Sequence, residues 1–193
     1  MSKQPTGLEK LDAVDPESGD FRVIVETPQG SRNKYTYNAD LHLFELGGVL
    51  PVGAVFPFDF GFIPSTIGED GDPLDVLLLM DVPAFPGCMV AARLIGVIEA
   101  EQTERDATTV RNDRLIAVAV QSRTHQDVRN IGDLNDALID EIVHFFVSYN
   151  EIKGKIFKPI GRHASFRARA IVEAGMKGGG GKAGRGKSSK KGT

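Results

Sequence analysis

A tight acidic turn that runs straight into a buried strand constrains this chain more than any other segment. Asp70-Gly71-Asp72-Pro73-Leu74-Asp75 puts three carboxylates into six residues, and Val76-Leu77-Leu78-Leu79-Met80 follows without a break. Gly71 and Pro73 suppress helix, so the acids sit on a loop rather than along a helix face. Five apolar residues after such a turn predict a strand inside the fold. Carboxylates crowded at the mouth of a hydrophobic strand repel one another and lose solvation unless cations neutralise them. Oxygen-only donors select hard divalent ions, so the turn predicts a metal site; the competing reading is a solvated acidic turn that caps a strand. An EF-hand loop is excluded, because its fifth and sixth positions would be Leu74 and Asp75, where that loop needs an oxygen ligand and a glycine.

The rest of the chain reads as short strands punctuated by Gly and Pro. Phe21–Glu26, Lys34–Asn38, Leu41–Leu46, Val49–Phe56, Leu74–Met80, Met89–Ala100 and Arg114–Val120 are strand candidates, with Glu101–Asp113 as a polar loop. Strands this short, joined by tight turns, predict a small closed barrel and a mainly β, α+β fold. One helix is expected from Leu134 to Tyr149. Leu134, Leu138, Ile142, Phe145, Phe146 and Tyr149 share a face at 3.6-residue spacing, and Asp133 is placed to cap it. His144 on that helix reads as a packing residue, since His42, His125 and His163 show no metal-ligand spacing. Lys153–Pro159 leads out of the helix, and Ser165–Ala174 fits a strand or a second helix.

At 193 residues the chain is long enough for one domain with a proper core. No apolar run reaches the ~18 residues of a membrane span, and Met1–Gln4 lacks the apolar stretch of a signal peptide. The single cysteine, Cys88, precludes an internal disulfide and fits a reducing, cytoplasmic setting. Charge is uneven. After Met176 come six basic residues and no acid, so the net charge of −3 for the whole chain becomes −9 for residues 1–175. Residues 176–193 therefore read as a disordered basic Gly/Lys/Ser tail that binds polyanions weakly, residues 1–18 as a loosely ordered N-terminus, and residues 19–175 as the barrel domain. An acidic body argues against a nucleic-acid-binding barrel.

The acidic turn with Val76 resembles the signature of the soluble family I inorganic pyrophosphatases, and the likeness runs from about Phe21 to Val172. Val23-Ile24-Val25-Glu26-Thr27-Pro28 resembles the family's opening strand and Asn33-Lys34-Tyr35 its substrate-lysine segment. Phe56-Pro57-Phe58-Asp59-Phe60-Gly61-Phe62-Ile63 resembles its aromatic run, and His144-Phe145-Phe146 with Tyr149 and Lys153-Gly154-Lys155 its C-terminal helix and exit.

The resemblance implies a five-stranded, OB-like barrel with flanking helices that hydrolyses pyrophosphate with several Mg²⁺ ions (Mn²⁺ substituting) and assembles as a homohexamer. It implies Asp70, Asp72, Asp75 and Glu26 as metal ligands, Asp72 also as proton acceptor, and Lys34, Tyr149 and Lys155 as phosphate contacts. The chain also departs from the pattern. Thr36 replaces an acid, and Glu45-Leu46-Gly47-Gly48 stands where an arginine is usual. Phe56 and Phe60 replace tyrosines, and Asn150 replaces a lysine. Asn112-Asp113-Arg114 replaces the Asp-x-Lys of a second acidic cluster. Arg114 is then the expected phosphate cation, with Asp113, Glu101, Glu104 and Asp106 as replacement carboxylates. The alternative reading is a catalytically weak protein that holds metal and phosphate without efficient turnover.

Overall fold

A computed structural model describes residues 7–179. Five strands close a ring. β1 (Phe21–Thr27) pairs antiparallel with β4 (Asp59–Phe62), β4 with β5 (Asp75–Leu79), and β5 runs parallel to β8 (Arg114–Ala119). β8 pairs with the long strand β6 (Met89–Thr103), and β6 returns to β1. This is the closed five-stranded architecture expected from the sequence. The far half of β6 extends beyond the ring to pair with β7 (Thr109–Arg111) and β9 (Ile156–Ala164). β2 (Asn33–Asn38) and β3 (Leu43–Val49) form a separate hairpin, while α1 (Asp136–Ile152) and α2 (Ser165–Gly179) flank the sheet. Among the described residues no helix is long and apolar enough to cross a membrane.

The unbroken apolar run of β5 follows from burial on both faces. Val76 to Leu79 are all fully buried, and their alternation divides them between two cores. Val76 and Leu78 pack with Val23, Val25 and Leu115, a core that also takes Ala168 and Val172 of α2. Leu77 and Leu79 pack with Ile116 and Val118 and with Ile139, Ile142 and Phe146 of α1. The acidic turn is thus attached to a strand that neither core can release.

Several local expectations are corrected. Gly47-Gly48 does not separate two strands: β3 runs through both glycines, with a bulge opposite Lys34 and Tyr35, and residues 50–56 form no strand. β4 was hidden in the aromatic run. Its Gly61 allows the close approach of β1, since a Cβ there would lie 1.9 Å from the Ile24 carbonyl oxygen. The polar loop at 101–113 is a hairpin of β6 and β7. Lys153–Pro159 belongs partly to β9, while Ser165–Ala174 takes the helical one of its two expected forms. α1 begins later than expected, where Asn135 accepts the Ala137 N–H; Asp133 instead accepts the Arg129 and Asn130 N–H groups. His144 is exposed rather than packed. The N-terminus is fixed from residue 7, with Ala13 buried and Arg22 bonded to Asp15 at 2.7 Å. α2 carries four residues past the expected boundary and packs Met176 against the core. The remaining tail, 180–193, lies outside the described residues.

Glu99 on β6 fastens the outer elements to the ring. It is buried, with Arg111 of β7 at 2.7 Å and Arg167 of α2 at 2.6 Å. Burial raises its pKa, but the hydrogen bonds and charges of Arg111 and Arg167 outweigh this and hold it below the usual carboxylate range. A carboxylate with a lowered folded pKa adds stability that is complete above its unfolded pKa of about 4.3 and is lost as pH falls through the folded value. Glu99→Gln should therefore cost about 2 kcal/mol at pH 7, with the difference from wild type shrinking below about pH 4. Thermal melts at pH 7 and pH 3 check this; an equal difference at both would show that the charge contributes nothing.

Candidate active site

The acidic turn closes on itself through short-range hydrogen bonds. Gly71 takes φ +88°, a left-handed conformation that glycine adopts without strain. The Asp72 N–H bonds to Asp70 Oδ1 at 3.1 Å and the Gly68 N–H to the Asp72 carbonyl at 2.8 Å. Thr66 braces the turn from behind, donating to the Ile63 carbonyl (2.6 Å) and accepting the Leu74 N–H (3.0 Å). Asp70 and Asp75 are half-buried and Asp72 is exposed. Burial raises the Asp70 pKa; the Asp72 N–H opposes the shift, and the charges of Asp72 and Asp75 add to it.

The turn forms one wall of a cleft of about 1310 Å³. Cations from other elements face it. Arg114, at the start of β8, reaches Asp75 at 2.6 Å and also donates to the Asn112 side chain. Its guanidinium lies 5.1 Å from the Phe146 ring centroid, 5.3 Å from Phe157 and 6.0 Å from Phe60. These rings hold the fork in place by cation–π attraction and exclude water from its stem. Lys34 on β2 meets Glu26 on β1 at 2.9 Å and stands 4.8 Å over Phe60. Glu26 is buried, and desolvation raises its pKa against the pull of Lys34. Phe56 and Phe60, which lack the hydroxyls of their expected counterparts, are buried in an aromatic layer with Phe145, Phe146 and Tyr149. The Tyr149 phenol opens into the cleft, and burial together with the Asp75 charge pushes its pKa up to about 12. It is therefore a hydrogen-bond donor at any physiological pH.

Of the residues singled out from sequence, Glu26, Lys34, Asp70, Asp72, Asp75, Arg114, Tyr149 and Lys155 line this one cleft. Asp113 and Glu101 do not. Asp113 bonds to the Ala100 N–H and to Arg111, and Glu101 lies 3.9 Å from Lys158. Strand alternation explains the miss: along these strands and the residues just past their ends, the cleft-facing positions are Gln102 and Glu104 on one side and Asn112 and Arg114 on the other. The second cluster thus presents two amides, hydrogen-bonded to each other at 3.2 Å, with Glu104 and Asp106 beyond them. Counting by twos back from Arg114 would have found Asn112. Lys153, at the end of α1, also lines the cleft and was not picked out.

Among the described residues no three carboxylate, imidazole or thiol side chains converge as a closed metal cage. The donor set nonetheless fits a hard divalent ion. It is all oxygen and open on one side, as suits an ion that keeps several waters and shares its shell with a substrate.

A family model described as inorganic pyrophosphatase matches residues 23–178. The chain is 38% identical over 149 residues to the inorganic pyrophosphatase of Synechocystis sp., covering 77% of this chain and 85% of that one. It is 34% identical over 165 residues to that of Nostoc sp., covering 85% and 94%. The crystal structure of the inorganic pyrophosphatase from Thermus thermophilus superposes with a TM-score of 0.83 at 34% identity, over 91% of this chain and 99% of that chain. With nearly the whole ring, the acidic turn and the cleft-lining helix inside the matched span, the chain belongs to the inorganic pyrophosphatase family.

Proposed function

We infer that this cleft hydrolyses inorganic pyrophosphate to two phosphates with Mg²⁺ as its activating ion. The observation that carries the reading is the meeting, in one cleft, of the acidic turn with Lys34, Arg114 and Tyr149, which come from three other elements. Family membership supplies the general requirement for a divalent metal. Asp70, Asp72, Asp75 and Glu26 are the residues that would hold several such ions, with Mn²⁺ able to substitute. Bound Mg²⁺ supplies neutralisation of phosphate charge and a water acidified toward neutral pH. The chain's own groups do the rest. Asp72, the exposed carboxylate of the turn, accepts the proton at a carboxylate oxygen. Lys34 and Arg114 hold phosphate oxygens, Arg114 as a planar fork already fixed by its aromatic cage. The Tyr149 phenol donates a hydrogen bond, and Lys155 adds charge at the rim.

We read the protein as a cytoplasmic homohexamer; the exposed Leu43, Leu46 and Val49 of the β2–β3 hairpin support assembly of some kind, and light scattering measures the mass directly. The tail beyond Gly179 is read as a dispensable polyanion-binding extension. The functional test compares phosphate release from pyrophosphate and from p-nitrophenyl phosphate in Mg²⁺. A cleft built to clamp two linked phosphates should favour pyrophosphate by at least about 10²-fold; equal rates would mean a general phosphatase.

A further inference from the structure

Four cations besides Lys10 line the cleft, and three of them have a carboxylate partner. Lys34 pairs with Glu26 at 2.9 Å, Arg114 with Asp75 at 2.6 Å and Lys155 with Glu104 at 2.7 Å; Lys10, at the edge, lies 3.9 Å from Glu9. Lys153 is different. Among the described residues no carboxylate stands within ion-pair distance of it. Its ammonium lies 4.0 Å over the Tyr149 ring and donates to the Tyr149 hydroxyl oxygen. The backbone beneath it is fixed, since Arg105 Nε donates to the Lys153 carbonyl at 2.7 Å and Gly154 turns the chain at φ +70°. The neighbouring cleft position, Asn150, brings no charge, and its buried amide is spent on the Phe146 carbonyl at 2.8 Å.

We propose that Lys153 is a substrate-binding residue of this cleft, its ammonium taking a phosphate oxygen of pyrophosphate beside the Tyr149 phenol. The inference rests on the reading of the cleft as a pyrophosphate site and adds to it a cation with no carboxylate in ion-pair contact. A half-buried ammonium among three other cations is held at an electrostatic disadvantage in the free protein. Burial, then Lys34, Lys155 and Arg114, pull its pKa down to about 8 against the opposing charge of Asp75. A bound polyanion removes that disadvantage, so the interaction is stronger with substrate than without it. The placement is also economical in sequence: positions 149 and 153 lie one helical turn apart, so phenol and ammonium reach the same spot.

The test measures binding of methylenediphosphonate in Mg²⁺ by calorimetry, with steady-state kinetics on pyrophosphate, for Lys153→Met, Lys153→Gln and Lys153→Arg. The two neutral variants should weaken analogue binding and raise KM at least about tenfold with unchanged melting temperature, and the Arg variant should recover most of the loss. Repeating Lys153→Met in a Tyr149→Phe background separates binding from orientation of the phenol, because a direct phosphate contact still loses affinity there. Unchanged analogue affinity in the neutral variants, or no added loss in the Tyr149→Phe background, overturns the assignment of Lys153 alone. A wild-type protein that binds no analogue overturns the pyrophosphate reading, and this one with it.

Discussion

Asp72→Asn should lower kcat for pyrophosphate by about 10³-fold while leaving the fold intact. Asp72 is the exposed member of the acidic turn, and its backbone closes that turn through the bonds to Asp70 and Gly68. The amide keeps the size and one oxygen acceptor but cannot take a proton at neutral pH. Removing one of three neighbouring negative charges also relieves Asp70, whose pKa the Asp72 charge helps to raise. The melting temperature in the absence of metal should therefore stay level or rise slightly. Steady-state kinetics with a chelator-washed, Mg²⁺-reloaded sample read the effect. A variant retaining a tenth or more of wild-type turnover would remove Asp72 from the chemistry.

Arg114→Ala should cost about 10²-fold in kcat/KM and about 3 kcal/mol in stability, two losses with separate causes. The kinetic loss comes from the phosphate fork. The stability loss comes from an emptied space among Phe60, Phe146 and Phe157 and from Asp75 left without its partner at 2.6 Å. Arg114→Lys should restore part of the stability and less of the activity, because a lysine keeps the charge but not the planar fork. Urea titrations and kinetics well below both melting temperatures keep the two effects apart. Kinetics like the wild type in Arg114→Ala would show that the altered second cluster takes no part in catalysis.

What the sequence disclosed and what it hid divide along physical lines. Where local chemistry decides conformation, the residues were legible. Gly71 and Pro73 announce the turn, the apolar run of β5 announces burial on both faces, and the 3.6-residue spacing announces α1. The cleft's membership was legible where a motif fixes it, as with the acidic triad, Glu26, Lys34 and Tyr149. It was illegible where strand pairing decides it. Glu101 and Asp113 carry the right chemistry but point away, because the β6–β7 hairpin sets a period of two that a polar stretch does not reveal. Continuity of β3 across Gly47-Gly48 likewise depends on pairing with β2, which overrides the weak strand preference of glycine. Lys153 reads in the sequence only as part of the helix exit, because a lysine at a helix end is ordinarily solvated; tertiary structure sets Lys34, Lys155 and Arg114 near it against the single charge of Asp75, and brings its ammonium to a phenol.

Turnover of pyrophosphate with a divalent metal, and not binding alone, is what this cleft is built for. The most direct measurement follows inorganic phosphate release from excess pyrophosphate by the purified full-length protein, with Mg²⁺, with chelator, and with Mg²⁺ restored. Analogue binding is measured on the same preparation. Many turnovers per site are expected in Mg²⁺, none in chelator and full recovery on readdition. Tight, Mg²⁺-dependent analogue binding with less than one turnover per site would contradict this and identify a metal- and phosphate-binding protein in place of an enzyme.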